Sequence, residues 1–182
     1  QISVLGEFTI GTRQEPALMG LQDFSLTQRE LFGLLISSPH LRTSQERIQL
    51  EFWPESPPER ARNSFDTMMS RLRKTLAAKF GGSVSHYLRV EKGFVQLINC
   101  SVDACEFLKS AGHGLSLARQ GYWWQAGNQF ITARALWKSY ELGESFASDQ
   151  ALAFGDHLQD TMRTMCLKWG SKLFELQRFD EA

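Results

Sequence analysis

Long apolar runs, paired cysteines and any net charge are missing from this sequence, and each absence removes a class of protein. No stretch of the 182 residues approaches the roughly 18 apolar residues that a membrane helix needs, and the N-terminus lacks the basic start and apolar core of a signal peptide. No membrane association and a cytoplasmic setting are expected. Cysteine occurs three times, as Cys100, Cys105 and Cys166, an odd number without paired metal spacing. That pattern argues against a disulfide framework or a zinc site and for buried free thiols. His40, His86, His113 and His157 are scattered, with no His-x-x-x-His pair. Gly81-Gly82-Ser83 lacks the Lys-Ser/Thr of a phosphate loop, and there is no Gly-x-Ser-x-Gly elbow, motif-supported nucleophile or paired acid and base. Nothing here supplies a reaction centre, so an enzyme is not expected and no cofactor or metal is assigned.

What is present is unevenly placed. Twenty cations balance twenty anions over the chain, yet residues 60–92 hold eight Lys/Arg against only Asp66 and Glu91. A local excess of this kind attracts phosphates. It coincides with the segment "ARNSFDTMMSRLRKTL", residues 61–76.

The order of elements can be read along the chain. "ISVLGEFTIG" alternates apolar Ile2, Val4, Phe8 and Ile10 around Gly6, which predicts short antiparallel strands. "LTQRELFGLLISSP" predicts a first helix, with Thr27 and Glu30 as a capping box and an end before Pro39. "TSQERIQLEFWP" predicts a second, capped by Thr43 or Ser44 and stopped by Pro54. After the rigid "PESPPER", a third helix runs to about Phe80, with Ser56 as cap, Pro57 or Pro58 in its first turn and Gly81-Gly82 as its end. "YLRVEKGFVQLI", residues 87–98, predicts a β-hairpin turning at Glu91-Lys92-Gly93.

Beyond Val102 the strand signals stop. Asp103 with Glu106 caps a helix to about Arg119; Gly121 breaks it; a second helix is expected up to Gly143 and a third from about Gln150 to Gln177. Trp123, Trp124, Phe130 and Trp137 are expected as core and interface of helix pairs. "GYWWQA" (121–126) and "QRFDEA" (177–182) match at Trp123 and Phe179 and at Ala126 and Ala182, the mark of stacked helix pairs with an insertion between them. Two domains follow, 1–101 and 102–182, and a chain that starts on a strand without methionine and stops as a second unit begins is expected to be a fragment, truncated at its C-terminal end.

On a helical wheel Ala61, Phe65, Met68, Met69, Leu72 and Leu76 share one arc of about 100°, the width of a core-facing stripe. Asn63, Thr67, Ser70 and Lys74 lie opposite, flanked by Arg60 and Arg71. A polar face with a few cations is ordinarily just solvated. Here three helices precede it and a basic hairpin carrying Arg89 and Lys92 follows. That order is the winged helix, in which the third helix (about 58–80) enters the major groove and the wing (about 87–98) touches backbone or minor groove. Arg forks onto guanine and Asn onto adenine. The competing reading is a protein-interaction scaffold whose basic helix binds an acidic partner.

"LTQRELFGLLISSPHLRTSQERIQLEFWPESPPERARNSFDTMMSRLRKTL", with "YLRVEKGFVQLI" and "VDACEF", resembles the OmpR-type winged-helix region of the SARP-like antibiotic-regulatory transcriptional activators. The helices after it resemble the bacterial transcriptional activator domain that accompanies it, a more loosely matched half. The resemblance implies an α+β winged helix-turn-helix followed by an all-α, TPR-like helical domain. It also implies Trp53 on the DNA backbone and Arg71 in the major groove, with Asn63, Thr67, Ser70 and Lys74 along the same face. Ser70 stands where a second Arg is frequent, and "EKGF" where a Gly-Thr-Gly-Tyr wing tip is frequent, so base preference and the Lys92 contact are expected to differ. Double-stranded DNA in direct repeats, RNA polymerase at the Pro54–Glu59 loop and a possible homodimer are the implied partners.

Overall fold

A computed structural model describes residues 1–81, 84–139 and 146–177. Three strands open the chain, β1 (Ile2–Ser3), β2 (Thr9–Ile10) and β3 (Met19–Gly20), paired antiparallel with Ile2 opposite Ile10 and Thr9 opposite Gly20. β1 and β2 are the expected pair; β3 is additional. This small sheet is tied to a distant part of the chain: the Ile2 amide donates to the Ser101 carbonyl at 2.8 Å, and the Val4 and Leu5 amides donate to the Asp103 carboxylate at 2.8–3.2 Å.

Helix α1 (Leu26–Ile36) is capped by Ser25, whose hydroxyl accepts from the Gln28 amide while the Gln28 side chain accepts from the Ser25 amide. The reciprocal pair satisfies two otherwise orphaned donors. Thr27 with Glu30 is therefore not the capping pair, and Glu30 reaches out to accept from the amides of Ala147 and Ser148 at 2.9 and 3.0 Å. Leu31 to Ile36 are all buried, so α1 is the central helix, apolar on nearly every side.

Strand β4 (Arg42–Ser44) leads into α2 (Gln45–Phe52), capped by the Ser44 hydroxyl accepting from the Arg47 amide. Helix α3 (Pro58–Phe80) starts with Pro58 in its first turn; Pro57 is the cap residue, which corrects the expectation for Ser56. Proline suits a first turn because its missing N–H would have had no helical partner. Gly81 at φ +62° ends the helix, and its amide returns to the Ala77 carbonyl. Strands β5 (Leu88–Glu91) and β6 (Phe94–Leu97) form the expected hairpin, and β4 adds to it in the order β4-β6-β5, antiparallel throughout. Lys92 (φ 51°) and Gly93 (φ 78°) make a two-residue loop with both residues left-handed, the turn whose twist suits a hairpin.

Among the described residues three further helices follow, α4 (Asp103–Arg119), α5 (Trp123–Leu136) and α6 (Asp149–Glu175). Asp103 is the first residue of α4 and faces Val4 and Leu5 rather than capping with Glu106. Gly121 (φ 85°) turns the chain so that α5 returns along α4. Ala111 and Ala118 of α4 and Ala126 and Ala133 of α5 are buried, and a Cβ on Gly114 would sit 2.6 Å from the Phe130 ring. Small residues thus allow the two helices to approach closely. Helix α5 ends at Leu136, short of the expected Gly143, which lies outside the described residues together with the second repeat motif at 178–182. Phe130 is buried and Trp123 and Trp137 are partly buried, as expected of core aromatics, but Trp124 is 72% exposed.

Among the described residues nearly all buried apolar side chains form one cluster that runs from Ile2 to Met165. At its centre Phe8 meets Phe24, Phe32 and Phe146 with ring centroids 5.5–6.1 Å apart. Phe146 lies on Gly33 of α1, where a Cβ would come within 2.9 Å of the ring. Cys100 and Cys105 are partly buried, and burial is the main influence pushing both thiols up from their ordinary range. Cys166 is exposed, contrary to the expectation of a buried thiol, because it lies on an outer face of α6 with its Sγ 3.6 Å from Met162 Sδ.

Candidate nucleic-acid interface

Helix α3 buries Ala61, Phe65, Met68, Met69, Leu72 and Leu76, the six residues of the apolar arc. That choice fixes the opposite face. Arg60, Asn63, Thr67, Ser70, Arg71 and Lys74 are all exposed. Among the described residues none of Arg60, Arg71, Lys74 and Arg89 makes an ion pair. Their charge is therefore available to an outside partner.

The structure places most of these residues in three hollows. Trp53, Asn63, Thr67 and Arg71 line the first, of about 380 Å³, with Ser25, Thr27 and Gln28 from the start of α1 on its other wall. Trp53 is half-buried at the end of α2, where its amide donates to the Gln49 carbonyl and its ring meets Phe52 edge-on at 5.8 Å. Lys74 lines the second hollow, of about 560 Å³, together with Arg73 and Arg89. Arg89 also lines the third, of about 220 Å³, with Lys92 and Arg42. Arg89 is thus the side chain shared by the α3 side and the hairpin. Arg60 and Ser70 line none of the three hollows and stand free on the helix surface.

Two features were missed in the sequence. Arg42 joins the hairpin through β4, opposite Gln96, with its guanidinium 3.8 Å from the centroid of the Phe94 ring. A three-residue strand is too short to show a period, so only the sheet reveals it. The polar start of α1 shows in the sequence only as a cap, whereas the fold also makes it a wall of the Arg71 hollow. The Lys92 ammonium stands 4.0 Å from the Glu91 carboxylate, an exposed contact of little energy.

Among the described residues no group of three or more His, Cys, Asp or Glu is placed to hold a metal. Nor is any described helix long and apolar enough to cross a membrane.

No family model matches the chain. It is similar to the transcriptional regulatory protein MoaR1 of Mycobacterium bovis and of Mycobacterium tuberculosis, with 26% identity over 148 residues, 79% of this chain and 46% of MoaR1. Among solved structures, EmbR of Mycobacterium tuberculosis in complex with a low-affinity phosphopeptide shares the fold, with a TM-score of 0.74 at 18% identity. That alignment takes in 98% of this chain and 46% of EmbR. The chain spans about half the length of the relatives it matches. The resemblance to transcriptional regulators drawn from the sequence is borne out by MoaR1.

Proposed function

We propose that this chain is the DNA-reading part of a transcriptional activator, a winged helix-turn-helix over residues 1–101 followed by TPR-like helices over 102–182. The observation that carries the reading is the outer face of α3. Its polar and cationic side chains have no ion-pair partners among the described residues, and it faces the same side as a hollow walled by Trp53 and by the start of α1. Similarity to MoaR1, a transcriptional regulatory protein, supports the same conclusion.

In this reading α3 lies in the major groove. Arg71 and Asn63 meet base edges, the types that fork onto guanine and adenine. Thr67 and Ser70 border them. Trp53 contacts the backbone, while Arg60, Lys74, Arg89 and Lys92 meet phosphates, which set register and most of the salt dependence. Arg42 adds a cation to the same hairpin edge. Two copies on direct repeats, as a homodimer, would place their α3 helices about one helical turn of DNA apart. The stretch from Pro54 to Glu59, which joins α2 to α3 and includes the first turn of α3, is the proposed meeting point with RNA polymerase.

The test is selection of bound duplexes from a random pool, followed by fluorescence anisotropy of the winner against a scrambled duplex at two salt concentrations. The wild type should prefer the winner, and Arg71→Ala should cost about 1–3 kcal/mol and erase that preference. If no sequence is enriched and both proteins bind every duplex equally weakly, the face serves an acidic protein partner instead.

A further inference from the structure

The core side of α3 carries a second feature that DNA contact does not use. Beneath its last turns lies a cavity of about 540 Å³, within the roughly 300–1,000 Å³ of small-molecule sites. Three parts of the fold enclose it: Ile2 and Ile10 from the first sheet, Leu76 and Phe80 from α3, and Leu88 and Leu97 from the hairpin. Phe80 is partly buried and the other five are buried, so the walls are apolar and set by packing. Most polar groups at the rim are already engaged. The Thr12 hydroxyl accepts from the Glu15 amide, the Asn99 side chain donates to the His86 carbonyl, and the Ser101 carbonyl accepts from Ile2. Among the described lining residues Arg13 is the one whose side chain carries a charge; it is exposed and has no ion-pair or hydrogen-bond partner there, whereas the Gln1 ammonium already donates to the Gly11 carbonyl at 2.9 Å.

An apolar chamber with a single unpaired guanidinium at its edge has a definite chemical complement. The apolar body of a ligand gains from leaving water, and an anionic head stays at the rim where it keeps its hydration and meets Arg13. We propose that this cavity binds a small amphipathic acid, a molecule with an apolar chain or ring and one carboxylate, seated against Leu76, Phe80, Leu88 and Leu97 with its carboxylate at Arg13. The inference does not depend on α3 reading DNA.

Cys100 lines the same cavity and supplies a reporter. With Cys105→Ala and Cys166→Ser, Cys100 is the only thiol, and its alkylation by a maleimide can be followed with decanoate or 1-decanol as probes. Decanoate should slow the alkylation several-fold and outcompete the alcohol. Arg13→Ala should weaken decanoate about threefold while leaving the alcohol unchanged, the size expected of an exposed charge pair. A companion variant with Cys100→Ala and Cys105→Ala keeps only the exposed Cys166, whose alkylation should not respond. Circular dichroism of each variant checks that the fold is retained. The proposal is overturned if decanoate leaves Cys100 unprotected, slows Cys166 equally, or binds the Arg13→Ala variant as well as its parent.

Discussion

At the scale of single residues, Gly33 and Asp103 hold the two halves of the chain together. Alanine at Gly33 would favour the helix by up to about 1 kcal/mol. Its Cβ would press on Phe146, however, and the near part of that side chain is held by Phe8 at 5.5 Å and cannot swing away. Overpacking costs about 1–3 kcal/mol. Gly33→Ala should therefore lower stability by about 1–2 kcal/mol in urea unfolding, and an unchanged midpoint would mean that the ring relaxes freely. Asp103 makes a pH prediction. Burial is the strongest influence on it and pushes the carboxyl above its ordinary value of 3.8, against the pull of the Val4, Leu5 and Ala104 amides and of Lys138. The native state then holds the proton more tightly than the unfolded one. The contribution of this group is greatest in acid and is lost as pH rises through its folded value. Compared with Asp103→Asn, the wild type should gain relative stability as pH falls through the interval just above 3.8; the opposite trend would mean that the amide donors outweigh burial.

The residue scale is also where local pattern is ambiguous. "SLTQRE" contains Ser25 with Gln28 and Thr27 with Glu30, two overlapping pairs that each fit a capping box. Choosing the second shifts the helix start and hides the reach of Glu30 to Ala147 and Ser148, a bond across 117 residues that no local rule predicts. The buried stripe of α3, by contrast, was fully legible, because six apolar residues at helical spacing leave no second way to face the core.

Among elements, the hairpin was legible from Lys92-Gly93, which few turns other than a tight primed one accommodate. Strands β3 and β4 were not, since neither Met19–Gly20 nor Arg42–Ser44 sits in a longer apolar alternation of the kind that runs from Ile2 to Ile10. Lys92 itself is a compromise. Its backbone is left-handed, where Asn is tolerated better than Lys. Lys92→Asn should therefore raise stability by a few tenths to about 1 kcal/mol. If Lys92 meets a phosphate, the same change should reduce the slope of log affinity against log salt by about 1. A variant that is stabilised with an unaltered salt slope would remove Lys92 from the contact set while leaving Arg89 and Arg42 in it.

At the scale of the whole molecule, the sequence pattern changes near residue 101, and the structure lays one core across that point. Glu30 binds α1 to the residues leading into α6, and just past α1 the Ser38 hydroxyl accepts from the side chain of Gln150 in α6 at 3.0 Å. Glu30→Ala should cost about 1 kcal/mol, as expected for charge-assisted bonds that are partly exposed, without altering the proposed affinity for DNA. Paired urea and anisotropy titrations would check both halves of that statement. A fall in DNA affinity at constant stability would instead couple the helical half to the α3 face.

The socket at Gly33 also has a consequence in time. Phe146 and the amides that meet Glu30 leave the ribosome more than a hundred residues after α1. At about 5–20 residues per second the interval is on the order of ten seconds. Until then the site beside Gly33 and Phe8 lacks the ring that fills it in the folded chain. A chain stalled before residue 146 would therefore expose that site to chaperones, and its release would coincide with the arrival of one phenylalanine.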